Sequence, residues 1–144
     1  MIAADTNLLV HAHRHDSEFH VSAKRCVAGL AEGSAQWAIP YHCLVEFYGI
    51  VTHPAIWKKP STPQQAADQI RAWRESPVLV VLTDEADGTE GLLELLVRAR
   101  IVGPKVHDAR IAAVCLEHRV SELWTLDRDF SRFPALVTRN PLAS

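Results

Sequence analysis

Apolar positions along this chain come in short runs, and the spacing within the runs switches between two patterns. Ile2 to Asp5 is a compact apolar run closed by a carboxylate and predicts a short buried strand. Leu8 to His13 predicts a short helix leading off it. In HDSEFHVSAKRCVAGLAEG, a capping signal at Asp16 or Ser17 precedes His20, Ala23, Val27 and Leu30 at helical spacing, and Gly33 stops the helix. QWAIP predicts a second strand, and YHCLVEFYGIVTH a third helix closed by Pro54. The Pro-rich stretch HPAIWKKPSTP is a loop. TPQQAADQIRAWRES is a helix with Thr62 as N-cap and Pro63 at its first position. PVLVVLT is continuously aliphatic and predicts a strand buried on both faces. A helix over Asp87 to Arg100 follows, then a loop and a long apolar helix in KVHDARIAAVCLEHR. A strand is predicted over Leu123 to Leu126, and a last short one over Ala135 to Thr138. Strands alternating with helices predict an α/β sandwich around a mainly parallel sheet of four to five strands.

The totals narrow the picture without deciding it. The chain has 144 residues, 48% of them hydrophobic and 22% charged, which fits one domain spanning 1–144 with a core that needs no staples. Its apolar runs are too short to span a bilayer, and no basic start leads into an apolar segment, so neither a membrane span nor a signal peptide is expected. Cys26, Cys43 and Cys115 are scattered, which predicts buried thiols in a reducing, cytoplasmic setting. A formal charge of −2 argues against generic nucleic-acid binding unless the negative charge is concentrated in one place.

Four acids stand against apolar backgrounds. Asp5 follows the first strand in MIAADTNLLV, and Asp127 follows the strand in LWTLDRDF. In an open parallel sheet both would reach the edge where ligand sites form. Glu46 lies in CLVEFYGIV, where apolar neighbours surround the helix almost completely. Asp108 sits at the front of the helix in KVHDARIAAVCL. An unpaired buried carboxylate is costly, so such acids face a cleft, a partner or a metal. Each has a plainer reading: Asp5 as a helix cap, Glu46 paired with an arginine, Asp108 complementing a helix dipole, Asp127 and Asp129 as turn residues. Read together, a carboxylate cluster without thiolates or paired histidines suits a hard cation, Mg²⁺ or Mn²⁺.

ADTNLL at the start, the lone Glu46 in its helix, HDARIAA and LWTLDRDF in series resemble the PIN-domain ribonucleases, and within them the VapC toxins of bacterial toxin–antitoxin pairs. The resemblance covers essentially the whole chain. It implies a PIN-like α/β/α sandwich and metal-dependent cleavage of RNA by an acidic quartet, which by motif position is Asp5, Glu46, Asp108 and Asp127. Thr6 and Asn7 match polar residues that steady the quartet, and Asp129 is placed as an outer or turn residue. The resemblance further implies a cognate antitoxin and a homodimer.

With such a site, divalent metal activates a water for phosphodiester hydrolysis, leaving a 5′-phosphate and a 3′-hydroxyl. Asp5 and Asp108 are the expected direct ligands, with Glu46 and Asp127 ligating or orienting through water. Two carboxylates about 5 Å apart repel by roughly 3 kcal/mol at an effective dielectric of 20, so the metal-free site is expected to be strained. Setting the four acids aside takes the net charge from −2 to +2, and Lys105, Arg110 and Arg128 lie where RNA could use them. Lys58, Lys59, Arg132 and Trp57 are further options, with simple solvation or core cover as the alternative. HAHRH would put His11 and His15 on one helical face, which admits zinc but supplies no third ligand. Two rival readings remain at this point: a PIN-fold module that holds RNA or protein without cutting, and a phospho-acceptor domain using Asp5.

Overall fold

The computed structural model describes residues 1–143, so Ser144, the last residue of the expected domain, lies outside it. Strands β1 (Ile2–Ala4), β2 (Trp37–Pro40), β3 (Leu79–Leu82), β4 (Glu122–Trp124) and β5 (Thr138–Arg139) form one sheet in the order β3-β2-β1-β4-β5. Every pairing is parallel, with Ala3 opposite Ala38 in β2 and opposite Leu123 in β4. Helices α1 (Thr6–His13) and α2 (His20–Glu32) carry the chain from β1 to β2. Helices α3 (Tyr41–Val51) and α4 (Pro63–Arg74) lead on to β3, and α5 (Thr89–Arg98) and α6 (Val106–Glu117) return it to β4.

The chain thus builds outward from β1 on one side, then crosses back to add β4 on the other. Between β1 and β4 lies a topological switch point, where strand ends diverge and leave a crevice. Small residues at the sheet centre let helices approach: Ala3, Ala4 and Ala38 are fully buried in the same core as Leu8, Leu9 and Phe47. Phe47 meets Trp73 of α4 edge-on at 4.8 Å. Each fully buried Leu or Phe contributes roughly 1.5–3 kcal/mol. Thr62 caps α4 through a complete capping box with Gln65, as the sequence predicts.

Several local expectations are corrected. β3 is an edge strand, and only Leu82 is buried while Leu79, Val80 and Val81 are half-buried, so its aliphatic run does not mark burial on both faces. α2 begins at His20 with Phe19 at the cap position. Asp16 is engaged by Arg14 instead, and Ser17 Oγ accepts from the Phe19 N–H outside the helix. The last strand is Thr138–Arg139, later than expected. Cys43 and Cys115 are buried thiols, whereas Cys26 is only partly so. α3 is not enclosed, since Tyr41, Val45 and Tyr48 form an exposed stripe. Among the described residues, no helix is long and apolar enough to cross a membrane.

Candidate metal centre

β1 ends at Ala4 and α1 begins at Thr6, so Asp5 is the single residue joining strand to helix. It occupies the N-cap position but makes no capping bond, which removes the plain capping explanation. Its carboxylate is 4% exposed and held from the neighbouring segments. Thr125 Oγ1, just beyond β4, donates to Oδ2 at 2.7 Å, and the Cys43 thiol of α3 faces Oδ1 at 3.6 Å. Burial pushes the Asp5 carboxyl up to about 6 and the nearby Glu46 charge adds to this, while the bonds from Thr125, the Thr6 backbone and Cys43 offset only part.

Glu46 projects from the middle of α3, and Thr6 Oγ1 donates to its Oε1 at 2.7 Å. Among the described residues no arginine pairs with it; the nearest cationic candidate is His42, with Nε2 3.8 Å from Oε2. Burial lowers His42 below the usual imidazole range, against the pull of Glu46. Asp108 stands in the first turn of α6, whose run-in passes through Gly103 at φ 59°, a left-handed conformation that glycine adopts freely. Burial raises the Asp108 carboxyl, and the charges of Asp127, Glu46 and Asp129 raise it further against Lys105. Asp127 closes the turn after β4: its N–H donates to Thr125 Oγ1 at 3.0 Å, and its Oδ1 accepts from the Asp129 N–H at 2.8 Å.

The carboxylates of Asp108, Asp127 and Asp129 can place one oxygen each within 4.8 Å of one another. Asp5 and Glu46 do not belong to that trio, yet Glu46 acts electrostatically on both Asp5 and Asp108. Asp129 therefore sits closer to the acids than an outer turn residue would. It is also ion-paired to Lys105, whose Nζ is 3.7 Å from Asp108 Oδ2, and that pairing holds Asp129 below the usual carboxylate range. Asn7 Oδ1 accepts from the Leu126 N–H at 3.3 Å and ties α1 to the post-β4 turn.

Of the cations considered for RNA, Arg110 is engaged with Asp84 at 2.5 Å and with His42, Lys105 with the acids, and Arg128 is exposed in the turn itself. One face of Trp57 is taken by Arg14, 4.2 Å from the ring centre, and its Nε1 donates to Ile50 O. His15 lies beyond the end of α1, so it shares no helical face with His11. Among the described residues, no third ligand joins the histidines to make a zinc site. Lys105 contacts Asp108 and Asp129 rather than Asp5.

Sequence reasoning missed Thr125, Cys43 and His42. The signal for Thr125 was present: a hydroxyl inside the apolar run LWTL, two residues before Asp127, is the same anomaly that singled out the acids. His42 could have been read as lying one helical turn before Glu46.

Carboxylates from four segments gathered at the switch point of a parallel sheet define an acidic-site α/β protein, and an all-carboxylate donor set is the chemistry that suits hard cations. The PIN domain model matches residues 2–136, and the chain belongs to the PIN-domain family. Among curated relatives, Ribonuclease VapC43 of Mycobacterium tuberculosis is 30% identical over 142 residues, covering 99% of this chain and 96% of that protein. Among solved structures, VapC20 of Mycobacterium tuberculosis, described as a sarcin-ricin loop cleaving toxin, superposes with a TM-score of 0.68 at 24% identity, covering 91% of this chain and 93% of that one. A toxin–antitoxin complex from Klebsiella pneumoniae gives 0.62 at 20% identity, with 98% of each chain covered.

Proposed function

We propose that this protein is a metal-dependent endoribonuclease, the toxin of a toxin–antitoxin pair. The observation that carries the reading is the convergence of Asp5, Glu46, Asp108 and Asp127 on the β1/β4 switch point, with hydroxyls of Thr6 and Thr125 already holding Glu46 and Asp5. The donor set fits the group the fold family implies. It is all oxygen, and Asp108, Asp127 and Asp129 can each bring one oxygen within 4.8 Å of the others, a spacing that one hard cation could bridge. Asp108 and Asp127 would hold the ion. Asp5, expected from the sequence as a direct ligand, would stand behind them, because Thr125 and Cys43 already engage its two oxygens. Glu46 and Asp129 would complete the negative field, and Mn²⁺ would substitute for Mg²⁺. A divalent cation there supplies charge neutralisation and a water of lowered pKa for phosphodiester hydrolysis.

The chain's own residues do the rest. Thr125 fixes Asp5 and the turn at Asp127 with one hydroxyl, so β1 and β4 cannot shift independently. Thr6 fixes Glu46, joining α1 to α3. Arg128 is free to meet a phosphate, and Lys105 and Arg110 stand at the same rim, where backbone contacts would dominate RNA affinity. A cognate antitoxin, a second copy of the chain and a cytoplasmic setting complete the reading, supported by relatives named VapC and a structural neighbour that is a toxin–antitoxin complex.

The test is incubation of purified, antitoxin-free protein with end-labelled RNAs and Mg²⁺ or Mn²⁺, beside EDTA and Asp5→Asn. Cleavage that needs both metal and Asp5 is expected. Intact RNA retained on a folded, metal-binding protein would instead establish a non-cutting module. Phosphorylation of Asp5 by acetyl phosphate, read by mass, would overturn the nuclease reading.

A further inference from the structure

Glu46 is held at one oxygen only: Thr6 fixes Oε1, while Oε2 faces His42 Nε2 at 3.8 Å. That nitrogen is itself anomalous. Among the described residues it is the one buried side-chain polar atom without a hydrogen-bond partner. Its protonation follows from the other side of the ring. Arg110 Nη1 lies 3.0 Å from His42 Nδ1, and a guanidinium can only donate, so Nδ1 accepts and bears no proton. The proton of the neutral ring is therefore on Nε2, facing the carboxylate. Arg110 is fixed in turn by Asp84 beyond β3, and the His42 ring stacks on His107 at 5.4 Å with 14° between planes. Asp84, Arg110 and His42 thus form a relay from three separate segments that ends at Glu46. A gap of 3.8 Å exceeds a hydrogen bond, and a rotation of the Glu46 carboxylate about its Thr6-bound oxygen would close it.

We propose that His42 is a positioning residue for Glu46: its Nε2–H donates to Oε2, so that Thr6 and His42 together fix the plane of that carboxylate in the acidic site. The inference rests on the metal-site reading above. A partner that orients an acid in this way commonly alters metal affinity or activity 10–100-fold when removed.

The experiment uses the full chain in three measurements. In metal-free ¹⁵N-labelled protein, long-range ¹H–¹⁵N correlation should show His42 as one tautomer protonated at Nε2. Arg110→Met should release Nδ1 and give a mixture. Mn²⁺ titration followed by electron paramagnetic resonance should show affinity falling about tenfold in His42→Phe. His42→Gln, which keeps an N–H donor and an acceptor for Arg110, should restore most of it, and Mn²⁺-dependent cleavage should follow the same order. A proton on Nδ1, wild-type Mn²⁺ affinity in a folded His42→Phe, or equal losses in the Phe and Gln variants would each overturn the proposal. If His42→Phe does not fold, the tautomer and the His42→Gln and Arg110→Met titrations decide it. Wild-type protein that binds Mn²⁺ but cuts no RNA would sink the nuclease reading alone, because the tautomer and affinity results still judge His42.

Discussion

The two ends of α1 carry polar clusters of opposite character. At its start, Asp5, Thr6 and the surrounding acids crowd the sheet edge. About 10 Å further along the helix, His13 and Arg14 open onto a groove of about 880 Å³ that also takes in His15, His20, Lys24 and Lys59. Size alone would favour the groove as the site. Satisfaction of charge favours the other end. Buried Arg14 has every arm occupied, by Asp16, Ser61, the Lys59 carbonyl and the Trp57 face. His13 is bonded through both ring nitrogens, to Gln69 and Ser61. The acidic end has several carboxylates and, within reach, chiefly Lys105 to answer them. A polar cluster whose bonds close on themselves is architecture, while one left with excess charge of a single sign is built for something that comes and goes.

The sharpest way to break this contrast is to neutralise the acidic end. Asp108→Asn is expected to cut metal-dependent RNA cleavage by more than about a hundredfold, beyond the range typical of supporting residues, while a thermal melt shows the fold intact. Cleavage at the wild-type rate would remove the site from this edge. The next effect belongs to the other end. Arg14→Ala should cost about 3 kcal/mol in denaturant unfolding, from the lost ion pair, hydrogen bonds and stacking, and leave cleavage per folded molecule unchanged. Lost cleavage with unchanged stability would reverse the roles of the two ends.

Asp5→Asn tests the strain directly, through stability without metal. The Asp5 carboxyl lies at about 6 in the folded protein against 3.8 for the free group, so the folded state binds more protons between those values. Stability conferred by the protonated form is present below about 4 and is lost as pH rises to about 6. The Asn variant should therefore be more stable than wild type by roughly 2–3 kcal/mol at neutral pH and lack that decline. His13 works in the opposite direction: burial lowers it from 6.5, so stability is lost as pH falls below that value, and His13→Gln should flatten the acid limb. A lower melting temperature for metal-free Asp5→Asn would count against a strained cluster. The smallest effect lies away from both ends: Thr62→Ala breaks the α4 capping box and should cost about 1 kcal/mol, with no change in cleavage.

Much of this was written in local pattern. The helix from Pro63 and the strand at Trp37–Pro40 follow from caps and short-range period, which act over neighbouring residues. The acids were visible because a carboxylate in an apolar run is expensive wherever the run ends up. Burial of β3 was misjudged because an aliphatic run fits an edge strand and a central strand equally well, and strand order is a long-range property. The start of α2 was misjudged because Asp16 went to Arg14, an ion pair outside the helix it was expected to cap.

By itself, then, the sequence determined the alternation of strands and helices, the identity of the anomalous acids and the family they signal, since each depends on residue type and near spacing. Only the tertiary structure decided that Thr125, 120 residues away in the chain, holds Asp5, that Asp129 joins Asp108 and Asp127, and that an arginine on α6 sets the proton of a histidine on α3. Those pairings depend on which strand ends lie side by side, and no local rule of spacing contains that order.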